Sequence, residues 1–301
     1  PEWMICTPHR KPSVGRHQYV LDFTNQEVID YLFKAISSII QETKLEYIKW
    51  DYNRHITDAF TATLPATKQM EFGHRYILGV YQLLERLTKA YPEVLFESCS
   101  SGGGRFDLGM MYYAPQAWTS DDTDPIERLK IQHGTSYGYS LSMMSAHVSA
   151  SPNEQSGRRT SLDTRAAVAY FGVFGYELDV TVLEVAEAEK VKEQIHFYKK
   201  YRDVFQYGNF YRIRSPFEDD VVDWQVVSSD KSTAILLHTS LISHLNPGYS
   251  VVKFCGLDED KRYMIAGMDE EFFGDELMNA GVKIVPEGAE NGPVISTPEY
   301  Q

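Results

Sequence analysis

The chain has 301 residues, 43% of them hydrophobic and 13% aromatic, which excludes a disordered chain and suffices for one large core with a smaller second domain. Its 42 acidic and 29 basic side chains leave a net charge of -13, which repels phosphates at long range and argues against nucleic-acid or anionic-membrane partners. Cys6, Cys99 and Cys255 are odd in number and lack metal-ligand spacing, favouring a reducing compartment, the cytoplasm, over a disulfide framework.

Pro1 opens the chain with no initiator Met and no basic-then-apolar leader, and no apolar run approaches the ~20 residues of a membrane span. Met4 to Cys6 reads as a first strand. Thr24 and Glu27 form a capping box, after which Val28, Leu32, Ile36, Ile39 and Ile40 recur on one helical face. Leu45 to Trp50 is the next strand, followed by a polar loop and a second helix carrying Tyr76, Ile77, Val80, Leu83, Leu84 and Leu87. Val94-Leu95-Phe96 leads into Glu97 to Arg105, a strand with a glycine-rich turn. Gln116 to Ser120 is a fourth strand. Its helix starts with Asp124 as N-cap, Pro125 at the first helical position and Glu127 completing the box. Met143 to Val148 and Phe174 to Val180 give two further strands, and a Glu- and Lys-rich helix, read as a solvated face, runs from Leu183 to Arg202.

Strands alternating with helices predict parallel α/β units, and the expected architecture is a (β/α)8 barrel. Six strands in roughly 206 residues fall short of the eight strands and about 250 residues of a full barrel. The expectation is therefore a barrel incomplete at its N-terminal end, with two strands upstream of Pro1; an open sheet is the alternative. After Tyr207-Gly208 the pattern changes to alternating segments at Phe210 to Ile213, Val221 to Val227, Thr233 to His238, Val251 to Phe254 and Arg262 to Ala266. Turn residues separate them, predicting a small antiparallel β domain. The expected domains are thus 1–206 and 207–301, without internal repeats and without a closing strand at the C-terminal end.

Two acidic clusters end strands in the barrel region, where barrel active sites are built. In Lys49-Trp50-Asp51-Tyr52-Asn53-Arg54, alternation points Lys49 and Asp51 the same way and Trp50 the other. The neighbouring ammonium favours an ionised Asp51, as a nucleophile requires; a structural salt bridge is an equally weighted reading of this segment alone. In Trp118-Thr119-Ser120-Asp121-Asp122-Thr123-Asp124, the cap accounts for Asp124 and leaves Asp121 and Asp122 without a structural duty. Adjacent acids raise the proton affinity of one of them, as a general acid needs. Spacing does not choose between the two, and a solvated acidic turn is the plainer reading. Retaining glycosidases use two carboxyl groups about 5 to 5.5 Å apart, and strand ends two positions apart around a barrel suit Asp51 and Asp121. Gly102-Gly103-Gly104 lacks the spacing of a phosphate cradle; it reads as a flexible turn, or as small residues that let backbone amides and Cys99 approach a ligand. The nine His residues show no metal-binding spacing. Trp50 and Trp118 read equally as core residues and as sugar-stacking platforms, and Trp118 is counted with the candidate substrate-binding residues.

Lys49-Trp50-Asp51 with Asn53-Arg54, the Cys99 to Arg105 turn, Trp118 to Asp124, His147 to Asn153 and Gly15 to Asp22 together resemble glycoside hydrolase family 36, the retaining α-galactosidases of microbial type. The resemblance covers nearly the whole chain. It implies a β/α barrel, Asp51 as nucleophile, Asp121 as acid/base, and substrate binding by Arg16, Lys49, Asn53, Cys99 and Gly102, with no metal and no organic cofactor. It further implies small α-galactoside substrates such as melibiose and raffinose, and a homo-oligomer, a tetramer in large members. Cys99 and the glycine turn would lie near the sugar's 2-hydroxyl, which fits galactose better than N-acetylgalactosamine. Family members carry an N-terminal β-sandwich and first barrel strands that this sequence lacks, so the chain is expected to be a fragment. Alternatives are galactosyl transfer of raffinose-synthase type, an α-N-acetylgalactosaminidase, and a non-catalytic truncated product.

Overall fold

In the computed structural model, which describes residues 2–242, 250–284, 294–296 and 298–299, the first amphipathic segment folds as helix α1 (Gln26–Thr43). Its cap is Asn25, whose side chain accepts from the Glu27 amide at 2.9 Å. The expected cap, Thr24, gives both its amide (2.9 Å) and its hydroxyl (2.6 Å) to the buried Asp22 carboxylate instead. Met4 forms an isolated antiparallel bridge to Leu21, with Ile5 N–H donating to the Val20 carbonyl and Asp22 N–H to that of Trp3. The first expected parallel strand is therefore one side of a short antiparallel return.

The chain divides into two compact units, Pro1–Trp118 and Thr119–Gln301. In the first, β1 (Tyr47–Asp51), helix α2 (Phe72–Ala90), β2 (Leu95–Cys99), the short helix α3 (Leu108–Tyr113) and β3 (Gln116–Trp118) follow in order. β2 pairs in parallel with both β1 and β3. One face of α2, with Tyr76, Val80, Leu83, Leu84 and Leu87, packs with Ile29 and Ile40 of α1 and Phe96 of β2; Ile48 and Trp50 lie against this cluster. Alternation along β1 then directs Lys49 and Asp51 to the opposite face.

The second unit begins with the Asp121 loop and α4 (Pro125–Thr135), followed by β4 (Met144–Ser149), α5 (Leu162–Ala169), β5 (Val173–Glu177) and α6 (Val185–Tyr207). β4 and β5 are parallel. Asp124 caps α4 by accepting from the Ile126 and Glu127 amides, but the Glu127 carboxylate takes Lys130 and Arg158 rather than closing the expected box. α6 carries a true capping box at Glu184 and Glu187. It buries Val191, Gln194, Tyr198 and Phe205, so the expected solvated helix has an apolar side.

Strands β6 (Asn209–Arg214), β7 (Val221–Val227) and β8 (Ala234–Ser240) then form an antiparallel meander. β9 (Ser250–Val252), β10 (Arg262–Ile265), β11 (Glu271–Phe273), helix α7 (Gly274–Asn279) and β12 (Val282–Ile284) complete smaller pairings. A closing strand, unexpected from sequence, is present: β13 (Val294–Ser296) pairs with β8, and β14 (Pro298–Glu299) with β10. Residues 243–249, which contain Asn246-Pro247-Gly248, one of the expected turns between β segments, lie outside the described residues.

Trp224 of β7 is fully buried, and its indole N–H donates to Nδ1 of His133 on α4 at 3.1 Å. Burial, and next the Arg212 guanidinium, hold His133 below the ordinary imidazole range. The unfolded chain therefore takes up this proton first as pH falls. The contribution to stability is complete above the ordinary His value of about 6.5 and declines below it, toward the lower folded value. In urea unfolding, wild type should lose more stability than His133→Gln between pH 7.5 and 5.5; parallel losses would remove His133 from the acid response.

Candidate active site

Strand register assembles the predicted residues of the first unit in two rows. Lys49 lies opposite Glu97, and Glu97 opposite Gln116. One step toward the carboxyl ends, Asp51 lies opposite Cys99, and Trp118 follows Ala117, the partner of Ser98. Asp51 is exposed at its strand end. Its Oδ2 accepts from Asn53 Nδ2 at 2.5 Å, while Asn53 Oδ1 accepts from the Ser101 amide at 2.6 Å. Both ends of the Asn53 amide are thereby fixed, and its N–H is aimed at Asp51.

Cys99 stands beside Asp51 across the β1–β2 pair. Burial chiefly pushes the Cys99 thiol up to about 11; the Gly102 backbone opposes the shift, and the Asp51 carboxylate adds to it. Cys99 is thus held as a protonated donor rather than a thiolate nucleophile. The turn beyond it folds back through Ser100 N–H to the Gly102 carbonyl at 2.8 Å. Gly102 has φ 78°, a conformation open to glycine and costly for other residues. Arg105 fastens the turn to the Asp51 loop, donating to the Tyr52 and Arg54 carbonyls and stacking 3.9 Å from the Tyr52 ring centroid.

Lys49 Nζ lies 3.8 Å from Glu97 Oε1 and 4.7 Å from the Trp118 ring centroid. Trp118 is buried and shares the Asp51 face, whereas Trp50 belongs to the helix-facing core. Arg16 stands exposed at φ 54° on the turn bridged by Gly15 and Gln18. That turn rests on Arg54, which donates to the Ser13 carbonyl at 2.9 Å. A Cβ at Gly15 would fall 2.8 Å from Arg54 Nε, so a larger residue here would displace the Arg54 side chain.

In the second unit, Asp121 is exposed on the loop before α4. Asp122, expected to lack a structural duty, has one: its Oδ1 accepts from the Asp124 amide at 3.0 Å, and its charge faces buried Arg128. Burial lowers Arg128 to about 10 against the opposing pull of Asp122 and Glu177. Arg128 donates to the Ser120 carbonyl at 3.2 Å and the Ser145 carbonyl at 2.5 Å, tying the loop to β4. Thr123 is held at three points: its amide by Gln155, its carbonyl by Ser149 Oγ and its hydroxyl by Asn153 Nδ2. The His147 to Asn153 segment therefore buttresses the Asp121 loop.

Glu97, Gln116, Arg128 and the supporting roles of Ser149 and Asn153 escaped the sequence reading. An acid directly after Val94-Leu95-Phe96, inside a strand, was the available signal for Glu97. Among the described residues no three His, Cys, Asp or Glu side chains cluster to hold a metal ion, and no helix is long and apolar enough to cross a membrane.

The Melibiase family model matches residues 1–208, and the glycosyl hydrolase family 36 C-terminal domain matches residues 221–297. Alpha-galactosidase AgaA of Geobacillus stearothermophilus is 47% identical over 284 residues, which are 94% of this chain and 39% of that protein. The crystal structure of an alpha-galactosidase from Lactobacillus brevis superposes with a TM-score of 0.96 at 54% identity, covering 100% of this chain and 42% of that one. Two structures of AgaA variants, in complex with raffinose and with stachyose, each give a TM-score of 0.97 at 44% identity, again over 100% and 42%. The chain thus spans about two fifths of the length of these relatives. With the parallel βα units and antiparallel sheets described above, the fold class is a partial (β/α)8 barrel followed by an antiparallel β region.

Proposed function

Because this chain belongs to glycoside hydrolase family 36, we propose that it carries the catalytic carboxylates of an α-galactosidase that releases terminal α-D-galactosyl residues from melibiose and raffinose-type oligosaccharides. The observation that carries this reading is the Asp51 carboxylate: it ends β1 exposed, opposite Cys99, yet is oriented by the Asn53 amide at 2.5 Å. Such a carboxylate suits attack on an anomeric carbon. Asp51 forms the carbon–oxygen bond as Asp121 protonates the departing glycosidic oxygen. Water, deprotonated by Asp121, then releases galactose with its configuration retained. One observation supports this pair. In the AgaA variants bound to stachyose and raffinose, the substituted aspartates include two with the sequence separation of Asp51 and Asp121.

Arg16, Lys49, Asn53, Cys99, Gly102 and Trp118 form the substrate-binding set of this reading, with domains over 1–206 and 207–301. The Gly102 turn folded onto Cys99 favours galactose over N-acetylgalactosamine. Free Cys6, Cys99 and Cys255 accord with a cytoplasmic location, and the family resemblance extends the reading to a homotetramer. The test is proton NMR of galactose freshly released from melibiose by the full-length protein. The α anomer should appear first and mutarotate to β. Initial β-galactose would replace the double displacement with an inverting mechanism, and galactosylated sucrose as the main product in the presence of sucrose would reassign the protein as a transferase.

A further inference from the structure

Glu97 sits in the interior of β2 with a fully buried side chain. A carboxylate in such a place is costly unless several donors or a cation meet it. Three groups do. Tyr47 OH and Gln116 Nε2 donate to Oε2, the latter at 2.6 Å, and the Lys49 ammonium lies 3.8 Å from Oε1. Burial, and then the Glu97 carboxylate, push the Tyr47 phenol well above its ordinary range, so it remains a donor throughout the working pH range. The same Lys49 ammonium lies 4.7 Å from the Trp118 ring centroid. Lys49 is a flexible side chain, about one third exposed, two positions before Asp51. Left to itself it would lose rotamer freedom each time it engaged a sugar hydroxyl.

We propose that Glu97 is a positioning residue: held by Tyr47 and Gln116 beneath the Asp51 row, it fixes the Lys49 ammonium in place to receive a sugar hydroxyl. The proposal rests on the reading of Lys49 as a substrate-binding residue. Glu97 itself touches no substrate and acts through Lys49 alone.

The test is a double-mutant cycle in the full-length protein on a nitrophenyl α-galactoside, with Glu97→Gln, Lys49→Met and the pair. Glu97→Gln should lower kcat/KM by roughly tenfold in the wild-type background, chiefly through KM, and by less than about threefold when Lys49 is already Met. Equal losses in both backgrounds would reduce Glu97 to a structural role and overturn the proposal. Should Glu97→Gln fail to fold, Tyr47→Phe, at a partly exposed position, removes one donor to Glu97 and should show the same coupling at smaller size. A second measurement is independent of any galactoside: acylation of Lys49 by an amine-reactive ester at pH 8, read by mass spectrometry. Loss of its counter-ion should speed labelling by about threefold, and unchanged labelling in both variants would overturn the proposal. Altered labelling of the variants beside an inactive wild type would instead fault the galactosidase reading and leave the Glu97–Lys49 contact standing.

Discussion

In the full-length protein, if Asp51 is the nucleophile proposed above, Asp51→Gly should lower turnover of an aryl α-galactoside by about 10⁴-fold or more, the scale seen when a covalent nucleophile is removed, and sodium azide should restore a large part of it. The variant leaves a space at the end of β1 where the carboxylate stood, while Asn53, which orients it now, and Cys99 opposite remain. Azide entering that space would attack the anomeric carbon from the face that the proposed mechanism assigns to Asp51. The glycosidic bond breaks, the aryloxide departs, and inversion gives β-galactosyl azide. Product configuration is what gives the experiment its force, since a general electrostatic effect of the anion would yield no such compound. An active wild type with no rescue in this variant would place the nucleophile elsewhere and return Lys49-Trp50-Asp51 to a structural salt bridge.

What the sequence disclosed of this site followed from local geometry. Period-two alternation sent Lys49 and Asp51 to one face of β1 and Trp50 to the core, and the structure keeps that division. The Asp124 cap and Pro125 start of α4 are likewise local signals, carried by hydrogen bonds within one turn. The Lys49–Glu97–Gln116 row was not legible, because it depends on the register between strands nearly 50 and 20 residues apart, which no short window encodes. Asp122 was misread for a related reason: its duty lies toward Arg128, a cation enclosed only after β4 has been built beside it. Competition between neighbours explains the misplaced cap of α1. Thr24 is a good capping residue by type, but Asp22 claims both its donors and passes the role to Asn25.

Asp121→Ala should divide substrates by leaving group. For melibiose and raffinose, whose sugar alkoxides depart only with protonation, the loss should be about 10²- to 10⁴-fold, the range of general acid catalysis. For a dinitrophenyl α-galactoside, which departs as a stable anion, formation of the galactosyl enzyme should be nearly unimpaired. Its hydrolysis should not be, because in the proposed mechanism the same carboxylate deprotonates the incoming water. A burst of phenolate followed by slow turnover is therefore expected. Azide needs no deprotonation and should accelerate the slow phase. Here it attacks the β-linked galactosyl enzyme from the opposite face, breaking the bond to Asp51 and giving α-galactosyl azide. The two variants are thus predicted to make azides of opposite configuration from one substrate, which separates the roles of the two carboxylates by product rather than by rate. Asp122→Ala provides the contrast: its carboxylate holds the Asp124 amide and faces Arg128, so its loss should loosen the loop and slow all substrates alike. Should Asp122→Ala give the burst and the α-azide while Asp121→Ala slows substrates uniformly, the acid/base is Asp122.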